Sequence, residues 1–315
     1  MNIKDKLPKV KENIFLAKHT TFKIGGRACY FFKAKNKEDL IKAVRIAKEF
    51  KMPFFILGEG SNVLFSDKGF KGLIIKTLNS KFQILDSKIY AEAGVELDKL
   101  VKLSLKESFT GLEWAVGIPG TMGGAIYGNA QAFNNKMSDM VEKVEVLDIK
   151  GLKIKNLSKK QCRFSQKNSV FKTNKNLIII SEILKLKKGK KKEIKEKIKK
   201  YLNYRKRNHP LNFPSAGSVF INKEIKIKSS KLLKKFPELK ELNKKGIIPS
   251  AYLIEKCGLK GKKIGKAQIS DKHANFIVNL GGAKAKDVLK LMKLAKQKVK
   301  KNFKISLKEE IQIIN

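Results

Sequence analysis

Two glycine-rich segments, at residues 58–62 and 118–125, constrain the fold more than any other feature of this sequence. Glycine has no Cβ, so backbone N–H groups in such segments can approach phosphate oxygens closely. Neither segment completes a GxGxxG pattern and no GxxxxGK(S/T) occurs, which disfavours a Rossmann dinucleotide site and a P-loop. Either segment alone is typical of a tight turn in a β-rich domain. Two of them within one domain favour a phosphate-bearing cofactor without identifying it.

Hydrophobic periodicity predicts a mixture of strands and helices around these segments. Short apolar runs predict strands at residues 29–32, 54–57, 63–65, 73–76, 82–85, 89–91, 141–149, 177–186, 267–269, 275–279 and 311–314. Helical spacing of apolar residues predicts helices at residues 38–51, 97–108, 251–256 and 285–303. The first strand, helix and strand form a βαβ-like start, which the first glycine-rich segment follows directly.

The length of 315 residues, of which 42% are hydrophobic, predicts two or three domains with sizeable cores. A dense lysine run ends near residue 207 and carries Ile194, Ile198 and Leu202 at four-residue spacing. A solvated basic helix between two domains explains this run better than a nucleic-acid arm, because its aromatic content does not suit base stacking. We therefore predict a first domain over residues 1–186, a linker helix over 187–208 and a last domain over 209–315.

The formal net charge of +43 would ordinarily indicate nucleic acid or an anionic membrane as a partner. The basic residues are almost all Lys, with Arg at Arg27, Arg45, Arg163, Arg205 and Arg207. Arginine is the side chain suited to phosphate and base-edge recognition, so a nucleic-acid reader would be expected to contain more of it. A Lys-rich composition from A/T-biased coding explains the charge more simply, and no nucleic-acid partner is expected. The positive field would still attract anionic ligands such as nucleotide pyrophosphates.

The cysteines and the N-terminus predict a cytoplasmic protein. Cys29, Cys162 and Cys257 are odd in number and form no CxxC pair, which argues against a disulfide framework and a zinc site. Residues 1–15 contain no uninterrupted apolar stretch of the kind a signal peptide requires. No segment approaches the roughly 20 apolar residues that a membrane span needs, so no membrane insertion is expected.

Three further features could carry chemistry, and each has a simpler structural explanation. Small residues flank Ser218 within residues 214–220, but no Gly-x-Ser-x-Gly elbow surrounds it, so a turn hydrogen bond is the better interpretation. Glu309 and Glu310 can balance charge in a lysine-rich tail. The histidines, including His273, show no metal-ligand spacing, and no metal site is predicted.

Taken in order, the motifs resemble one family over essentially the whole chain. The matching segments are residues 20–28, 58–64, 111–130, 214–222, 251–261, 265–279 and 307–311. The family is UDP-N-acetylenolpyruvoylglucosamine reductase, an enzyme of peptidoglycan synthesis. The resemblance implies an α+β fold, with an FAD-binding domain of the vanillyl-alcohol-oxidase/PCMH type in two subdomains and a C-terminal α+β substrate-binding domain. It also implies FAD as cofactor, NADPH as hydride donor and UDP-N-acetylglucosamine enolpyruvate as the substrate.

The resemblance also assigns roles to residues of this sequence. The cofactor-binding residues it implies are Gly58, Gly60, Ser61, Asn62, Ile118, Pro119, Gly120, Thr121, Gly123 and Gly124. It implies hydride transfer from flavin N5 to the terminal carbon of the enolpyruvyl ether, followed by protonation at C2 by Ser218. Glu310 is then the second catalytic residue, near the substrate carboxylate. The positions that match contacts to the UDP-sugar are Asn222, Lys260 and His273.

The chain departs from the family pattern at three places. After Ser218, the family usually has Lys-Asn-Pro where this chain has Ile221-Asn222-Lys223, so only Asn222 is kept. Gln166-Lys167 stands where the family usually has Tyr-Arg, and the arginine contacts the substrate carboxylate. Lys167 would replace a bidentate fork with a point charge, so we expect carboxylate orientation that is retained but weaker. Gln131 replaces a glycine in the loop at residues 129–133, which leaves the conformation of that turn open.

Two alternatives remain open from the sequence. A different flavoprotein of the same cofactor fold, such as an oxidase of small alcohols or sugars, would lack the reductase-like C-terminal segments. A nucleic-acid-binding protein would be colourless and would bind DNA in a salt-sensitive manner. A flavoenzyme would instead be yellow, with an absorption band near ~450 nm from the cofactor.

Overall fold

The computed structural model describes residues 3–315, which fall into two compact units. The first unit contains the residues up to Phe15, Arg27–Gly60 and Phe70–Arg207, and the second contains Leu16–Gly26, Ser61–Gly69 and Asn208–Asn315. This division differs from the continuous domains predicted above. Phe22, Ile24 and Leu64 are buried in the core of the second unit, although they lie far from its other residues in sequence. Local patterns predict elements well, but they do not show which core an element joins.

The strands and helices follow one another in this order along the chain. The strands are β1 Lys11–Phe15, β2 Arg27–Ala34, β3 Phe54–Leu57, β4 Val63–Phe65, β5 Phe70–Thr77, β6 Phe82–Leu85, β7 Lys88–Glu92, β8 Phe109–Thr110, β9 Gln131–Ala132, β10 Asn135–Lys136, β11 Val141–Asp148, β12 Lys153–Ser158, β13 Leu177–Lys185, β14 Lys187–Lys188, β15 Ser215–Ser218, β16 Lys263–Ile264, β17 Ala267–Ile269, β18 Phe276–Asn279 and β19 Gln312–Ile314. The helices are α1 Ile3–Lys6, α2 Lys37–Glu49, α3 Leu97–Lys106, α4 Met122–Gly128, α5 Val170–Thr173, α6 Lys191–Asn208, α7 Ser230–Lys235, α8 Glu238–Lys245, α9 Ser250–Lys256 and α10 Ala285–Phe303. Short 3-10 helices lie at Leu16–His19, Glu113–Ala115 and Met137–Asp139.

The first unit begins with a four-stranded sheet of order β1-β2-β5-β3. β2 and β3 both run parallel to β5, which lies between them, so the predicted βαβ arrangement is confirmed. Helix α2 starts where Asn36 Oδ1 accepts a hydrogen bond from the Asp39 N–H at 2.7 Å, the usual arrangement at a helix N-cap. Its buried face includes Leu40 and Val44, which belong to the core shared with this sheet.

The first unit also contains a five-stranded antiparallel sheet of order β12-β11-β13-β7-β6. A second core covers it, built from residues of α3 and α4 and from Trp114, Phe109 and Phe171. Two cores within one unit agree with the two α+β subdomains that the resemblance implies.

The basic helix α6 packs on this second core, which corrects the expectation of a solvated linker starting at residue 187. Lys187–Lys188 form β14, which pairs with β8, so the helix begins only at Lys191. Ile194 is buried, and Ile198 and Leu202 are half-buried against the same core. The four-residue stripe is therefore the buried face of a helix of the first unit.

The second unit is built on an antiparallel sheet of order β15-β18-β17-β16 with α9 and α10 in its core. Val288, Met292, Ala295 and Val299 form the buried stripe of α10. A separate parallel pair joins β19 to β4. Within residues 3–315, no helix combines the length and the apolar composition required to cross a bilayer.

Candidate active site

The turn that follows β3 contains Gly58 and Gly60 of the first unit. Lys76 of β5 is buried, and its Nζ donates a hydrogen bond of 2.7 Å to the carbonyl oxygen of Gly58. The same ammonium lies 3.3 Å from Glu59 Oε1. Gly60 has a φ of +67°, in the left-handed region that favours glycine. These contacts hold the first glycine-rich segment in a defined conformation.

The second glycine-rich segment meets the first at Thr121. A Cβ added to Gly58 would lie 2.5 Å from Thr121 Oγ1, so only glycine leaves room for this approach. Gly120 has a φ of +151°, and a Cβ on Gly123 would lie 2.8 Å from the Cβ of Ala93. Within the first unit, the structure thus brings Gly58 of the first segment against Thr121 of the second.

Helix α4 begins inside the second glycine-rich segment and extends to Gly128, in a region where the sequence predicted no helix. Glycine is a poor helix former, so its density there is typical of turns. The helix nevertheless has an N-cap, because Thr121 Oγ1 accepts a hydrogen bond from the Gly124 N–H at 3.4 Å. Ile118, half-buried against the core, and Pro119, which is exposed, precede this cap.

Backbone donors in this segment are available to a ligand. Among residues 3–315, no acceptor is found for the N–H groups of Gly120 and Thr121, although Thr121 is buried. A buried N–H group without an acceptor is costly, and an anionic oxygen placed beside it would stabilise the segment. The segment therefore fits a phosphate-bearing cofactor.

Lys167 lies in a turn of the first unit between β12 and α5. It is half-buried, its φ is +51°, and its Nζ donates a hydrogen bond of 3.3 Å to the carbonyl oxygen of Gln131. Gln131 itself belongs to β9. The left-handed residues of that loop are Asn129, Phe133 and Asn134, so the glycine-to-glutamine departure does not fall on a left-handed position.

Ser218 ends β15 of the second unit, where a β-bulge interrupts the pairing with β18. Ser215 pairs with Val278 and Ser218 with Phe276, so the register shifts between them. Gly217 lies within this shift and has a φ of +72°. A bulge re-aims the side chain that follows it, so the small residues around Ser218 form a bulged strand rather than a simple turn.

Glu310 reaches the neighbourhood of Ser218 through main-chain pairing. The Glu310 N–H donates a hydrogen bond of 2.8 Å to the carbonyl oxygen of Val219, the residue after Ser218. One step further along, Phe220 and Glu309 form an antiparallel bridge. Within the second unit, the structure therefore brings the main chain of Glu310 next to that of Ser218, and these are two of the three predicted catalytic residues, the third being Lys167.

The two adjacent glutamates have different environments. Glu309 forms an ion pair with Lys296 of α10. Glu310 follows Glu309 directly and makes the main-chain bond to Val219 described above. Charge balance, the simpler interpretation of both residues, thus applies to Glu309.

The end of the first glycine-rich segment joins this region of the second unit. Asn62 Nδ2 donates to the carbonyl oxygen of Glu310 at 3.2 Å, and the Gln312 N–H donates to the carbonyl oxygen of Asn62 at 2.9 Å. Ser61 precedes Asn62 and is half-buried. In the described part of the chain, no acceptor is found for the Ser61 N–H group. A predicted cofactor-binding residue is thus hydrogen-bonded to a predicted catalytic one.

The residues predicted to bind the UDP-sugar lie in the second unit, in two places. Asn222 Oδ1 accepts a hydrogen bond of 3.1 Å from the N–H of Ser250, the first residue of α9. Lys260 is exposed, with its Nζ 3.4 Å from Glu255 Oε1. Burial lowers the pKa of His273 below its usual range, and the positive charge of Lys260 lowers it further. His273 is therefore a neutral hydrogen-bonding group near a cation.

Asn275 is a residue of this region that sequence analysis missed. Its Nδ2 donates to the Phe220 carbonyl oxygen at 2.8 Å, its Oδ1 accepts from the Phe220 N–H at 3.0 Å, and its own carbonyl oxygen accepts from the Val219 N–H at 2.8 Å. It thereby fixes the segment that directly follows Ser218. A lone asparagine at a strand start carries no signal for this role.

Comparisons with known proteins agree with this geometry. The model of an FAD binding domain matches residues 28–155. The model of the UDP-N-acetylenolpyruvoylglucosamine reductase C-terminal domain matches residues 209–314. A glycine-lined cofactor segment and these matches define the chain as an FAD-binding oxidoreductase.

Relatives extend the match to nearly the whole chain. The UDP-N-acetylenolpyruvoylglucosamine reductase of Caldanaerobacter subterraneus subsp. tengcongensis is 39% identical, over 95% of this chain and 91% of the relative. The UDP-N-acetylenolpyruvoylglucosamine reductase of Clostridium novyi is 38% identical, over 97% of this chain and 92% of the relative. The crystal structure of the reductase from Thermus caldophilus superposes with a TM-score of 0.76 at 30% identity, covering 96% of this chain and 98% of that one. The chain belongs to the UDP-N-acetylenolpyruvoylglucosamine reductase family, and the predicted fold class is confirmed.

Proposed function

We propose that this chain reduces UDP-N-acetylglucosamine enolpyruvate to UDP-N-acetylmuramate with NADPH, in the cytoplasm, as a step in making the peptidoglycan precursor. The observation that carries the proposal is the 2.8 Å hydrogen bond from the Glu310 N–H to the Val219 carbonyl oxygen. It places a carboxylate-bearing residue beside the strand end that holds Ser218. Two neighbouring segments, one bearing a hydroxyl and the other a carboxylate, supply the kinds of group that can move a proton.

FAD is the cofactor of the proposed reaction, and the glycine-rich segments would hold it. Gly58 and Gly123 let the segments pack against Thr121 and Ala93, and Gly60 and Gly120 have positive φ values. The other residues proposed to hold FAD are Gly124, Ser61, Asn62, Thr121, Ile118 and Pro119. When bound, FAD supplies hydride transfer between NADPH and the enolpyruvyl group. The chain's own part is to orient that group and to supply the proton.

Ser218 is the proposed proton donor to C2 of the substrate. An alcohol is a weak acid in water, so its proton can leave only as charge develops on the carbon that accepts it. The bulge at Gly217 and the pairing with Phe276 fix the backbone at Ser218 before the reaction, which lowers the cost of placing its hydroxyl. Glu310 is the second catalytic residue and would influence the charge of the substrate's carboxylate end.

Anion recognition is the proposed role of the remaining residues. Lys167 would bind the substrate carboxylate and stabilise the negative charge that grows there as hydride adds. Asn222, Lys260 and neutral His273 would contact the UDP-sugar. Since UDP-N-acetylglucosamine enolpyruvate and NADPH are both polyanions, the strongly positive chain favours their approach.

The decisive assay follows NADPH oxidation by purified, flavin-containing protein with and without UDP-N-acetylglucosamine enolpyruvate. We expect the substrate to stimulate oxidation, and UDP-N-acetylglucosamine, which lacks the enolpyruvyl group, to leave it unchanged. If the full substrate also leaves the rate unchanged while FAD is bound, the proposed function is wrong.

A further inference from the structure

We infer that Lys172 is a positioning residue that holds the backbone turn presenting Lys167 to the substrate carboxylate. The inference rests on the function proposed above for Lys167. Lys172 lies in α5, and its Nζ donates a hydrogen bond of 2.6 Å to the carbonyl oxygen of Lys167. The contact thus joins the side chain of one lysine to the backbone of the other.

The turn around Lys167 needs such support. Lys167 has a φ of +51°, a conformation that L-residues other than glycine adopt at an energetic cost. Ser165 and Asn168 close the turn by exchanging backbone hydrogen bonds of 3.1 and 3.2 Å. The Asn168 N–H belongs to the same peptide group as the Lys167 carbonyl, so the Ser165 carbonyl holds one end of that peptide and the Lys172 ammonium holds the other.

Lys172 is well placed to act on this backbone because its own helix is anchored. The Val170 N–H donates to the carbonyl oxygen of Cys162 at 2.8 Å. Ser169 Oγ donates to the carbonyl oxygen of Tyr127, in α4, at 2.7 Å. A cation on a fixed helix forms a charge-assisted hydrogen bond, which is stronger than a bond between neutral groups.

A second contact holds the other side of the same turn. Asn129, the C-cap residue of α4, donates from Nδ2 to the carbonyl oxygen of Ser165 at 2.8 Å, and its Oδ1 accepts from the Ser138 N–H at 3.0 Å. The turn is therefore tied to the end of the glycine-rich helix, and Lys172 holds the carbonyl end of the Lys167 peptide within it.

This arrangement matters more for a lysine than it would for an arginine. A guanidinium fork fixes a carboxylate through two parallel bonds, whereas an ammonium acts as a point charge on a flexible stem. Orientation at Lys167 must then come from the backbone that carries it. We expect loss of the Lys172 ammonium to weaken substrate binding while leaving the cofactor segment in place.

The test compares Lys172→Met, Lys172→Gln and Lys172→Arg with Lys167→Met and the double variant Lys167→Met/Lys172→Met. KM for UDP-N-acetylglucosamine enolpyruvate and kcat are measured, with bound flavin as the check on folding. Lys172→Met should raise KM about tenfold, the effect of one lost charge-assisted bond, with a smaller change in kcat. The KM of Lys172→Gln should lie between those of Lys172→Met and the parent. Lys172→Arg keeps the charge, so its KM should lie within about twofold of the parent value.

The double variant separates positioning from a general structural effect. If Lys172 acts through Lys167, the double variant should bind substrate no more weakly than Lys167→Met alone. Lys160→Met is the matched control, because Lys160 is exposed and its ammonium has no hydrogen bond or ion pair among residues 3–315. It should leave KM unchanged.

Two results would contradict the role of Lys172 alone. A third would also contradict the role proposed for Lys167. Lys167→Met raising KM while Lys172→Met and Lys172→Gln do not, or fully additive effects in the double variant, would contradict positioning by Lys172. If Lys167→Met leaves KM unchanged, the role proposed for Lys167 is wrong and this inference falls with it. Stimulation of NADPH oxidation by the substrate would still support the overall function in that case.

Discussion

Lys167 carries a single point charge where an arginine would offer a planar fork. Its left-handed backbone places no demand that arginine would fail to meet, because both residues carry the same Cβ. We therefore predict that Lys167→Arg leaves kcat/KM for UDP-N-acetylglucosamine enolpyruvate equal or raises it by up to roughly tenfold, through a second charge-assisted bond. Steady-state assays test this, with Lys160→Arg as the control. A large loss would argue against carboxylate binding at this position.

Some residues of the candidate site could be predicted from the sequence and others could not. The motifs containing Ser218 and Glu310 were found from their neighbours in sequence, and the structure brings them together through Val219. Asn275 and Lys172 were missed, because an amide that binds backbone groups and a lysine among many lysines have no distinctive local pattern. Their roles depend on partners that only the folded chain supplies.

Strand β13 lies between β11 and β7 in the five-stranded sheet and carries an unusual buried acid. Glu182 is 1% exposed, and neither of its carboxylate oxygens has a hydrogen-bond partner among the described residues. Burial raises its pKa well above the usual 4.5, and the charge of Glu92 on β7 adds to this. Folding therefore takes up a proton at pH values between the unfolded and folded pKa. The stability contributed by the protonated form is lost as pH rises through the raised pKa.

Replacement of this acid by its neutral amide should remove that pH dependence. We predict that Glu182→Gln raises the melting temperature more at about pH 8 than at about pH 5. Each kcal/mol gained in the free energy of unfolding should raise the melting temperature by roughly 2–4 °C. Thermal unfolding of the two proteins at both pH values measures this. Glu196→Gln on the exposed part of α6 is the control. An equal difference at both pH values would contradict a proton held by Glu182.

The spacing of apolar residues and the local composition predicted most of the strands and helices. Phe54–Leu57, Ala267–Ile269 and Ala285–Phe303 have the predicted bounds. The exceptions are elements that tertiary contacts create: α4 forms despite its glycines because Thr121 caps it, and β15 pairs through a bulge at Gly217. The lysine run similarly divides into a short strand and a packed helix, since β8 offers a pairing partner for Lys187–Lys188.

For the whole molecule, each of the two units assembles one part of the proposed chemistry. The first holds the contact between Gly58 and Thr121, and the second holds Ser218 next to Val219, whose carbonyl oxygen accepts the Glu310 N–H. The interleaved composition of the units could not be predicted from sequence. Segments such as Leu16–Gly26 and Ser61–Gly69 join a core formed mainly by residues far along the chain. The family resemblance supplied the order of the motifs but not this arrangement.

The most direct test of the account measures the two half-reactions of Ser218→Ala separately by stopped-flow absorbance of the bound flavin. The rate of flavin reduction by NADPH should stay within about twofold of the parental rate, because that half-reaction needs no proton from Ser218. Reoxidation by UDP-N-acetylglucosamine enolpyruvate should slow roughly 10²- to 10⁴-fold, the usual contribution of a positioned proton donor. Reoxidation at the parental rate would contradict proton donation by Ser218 and with it the proposed mechanism.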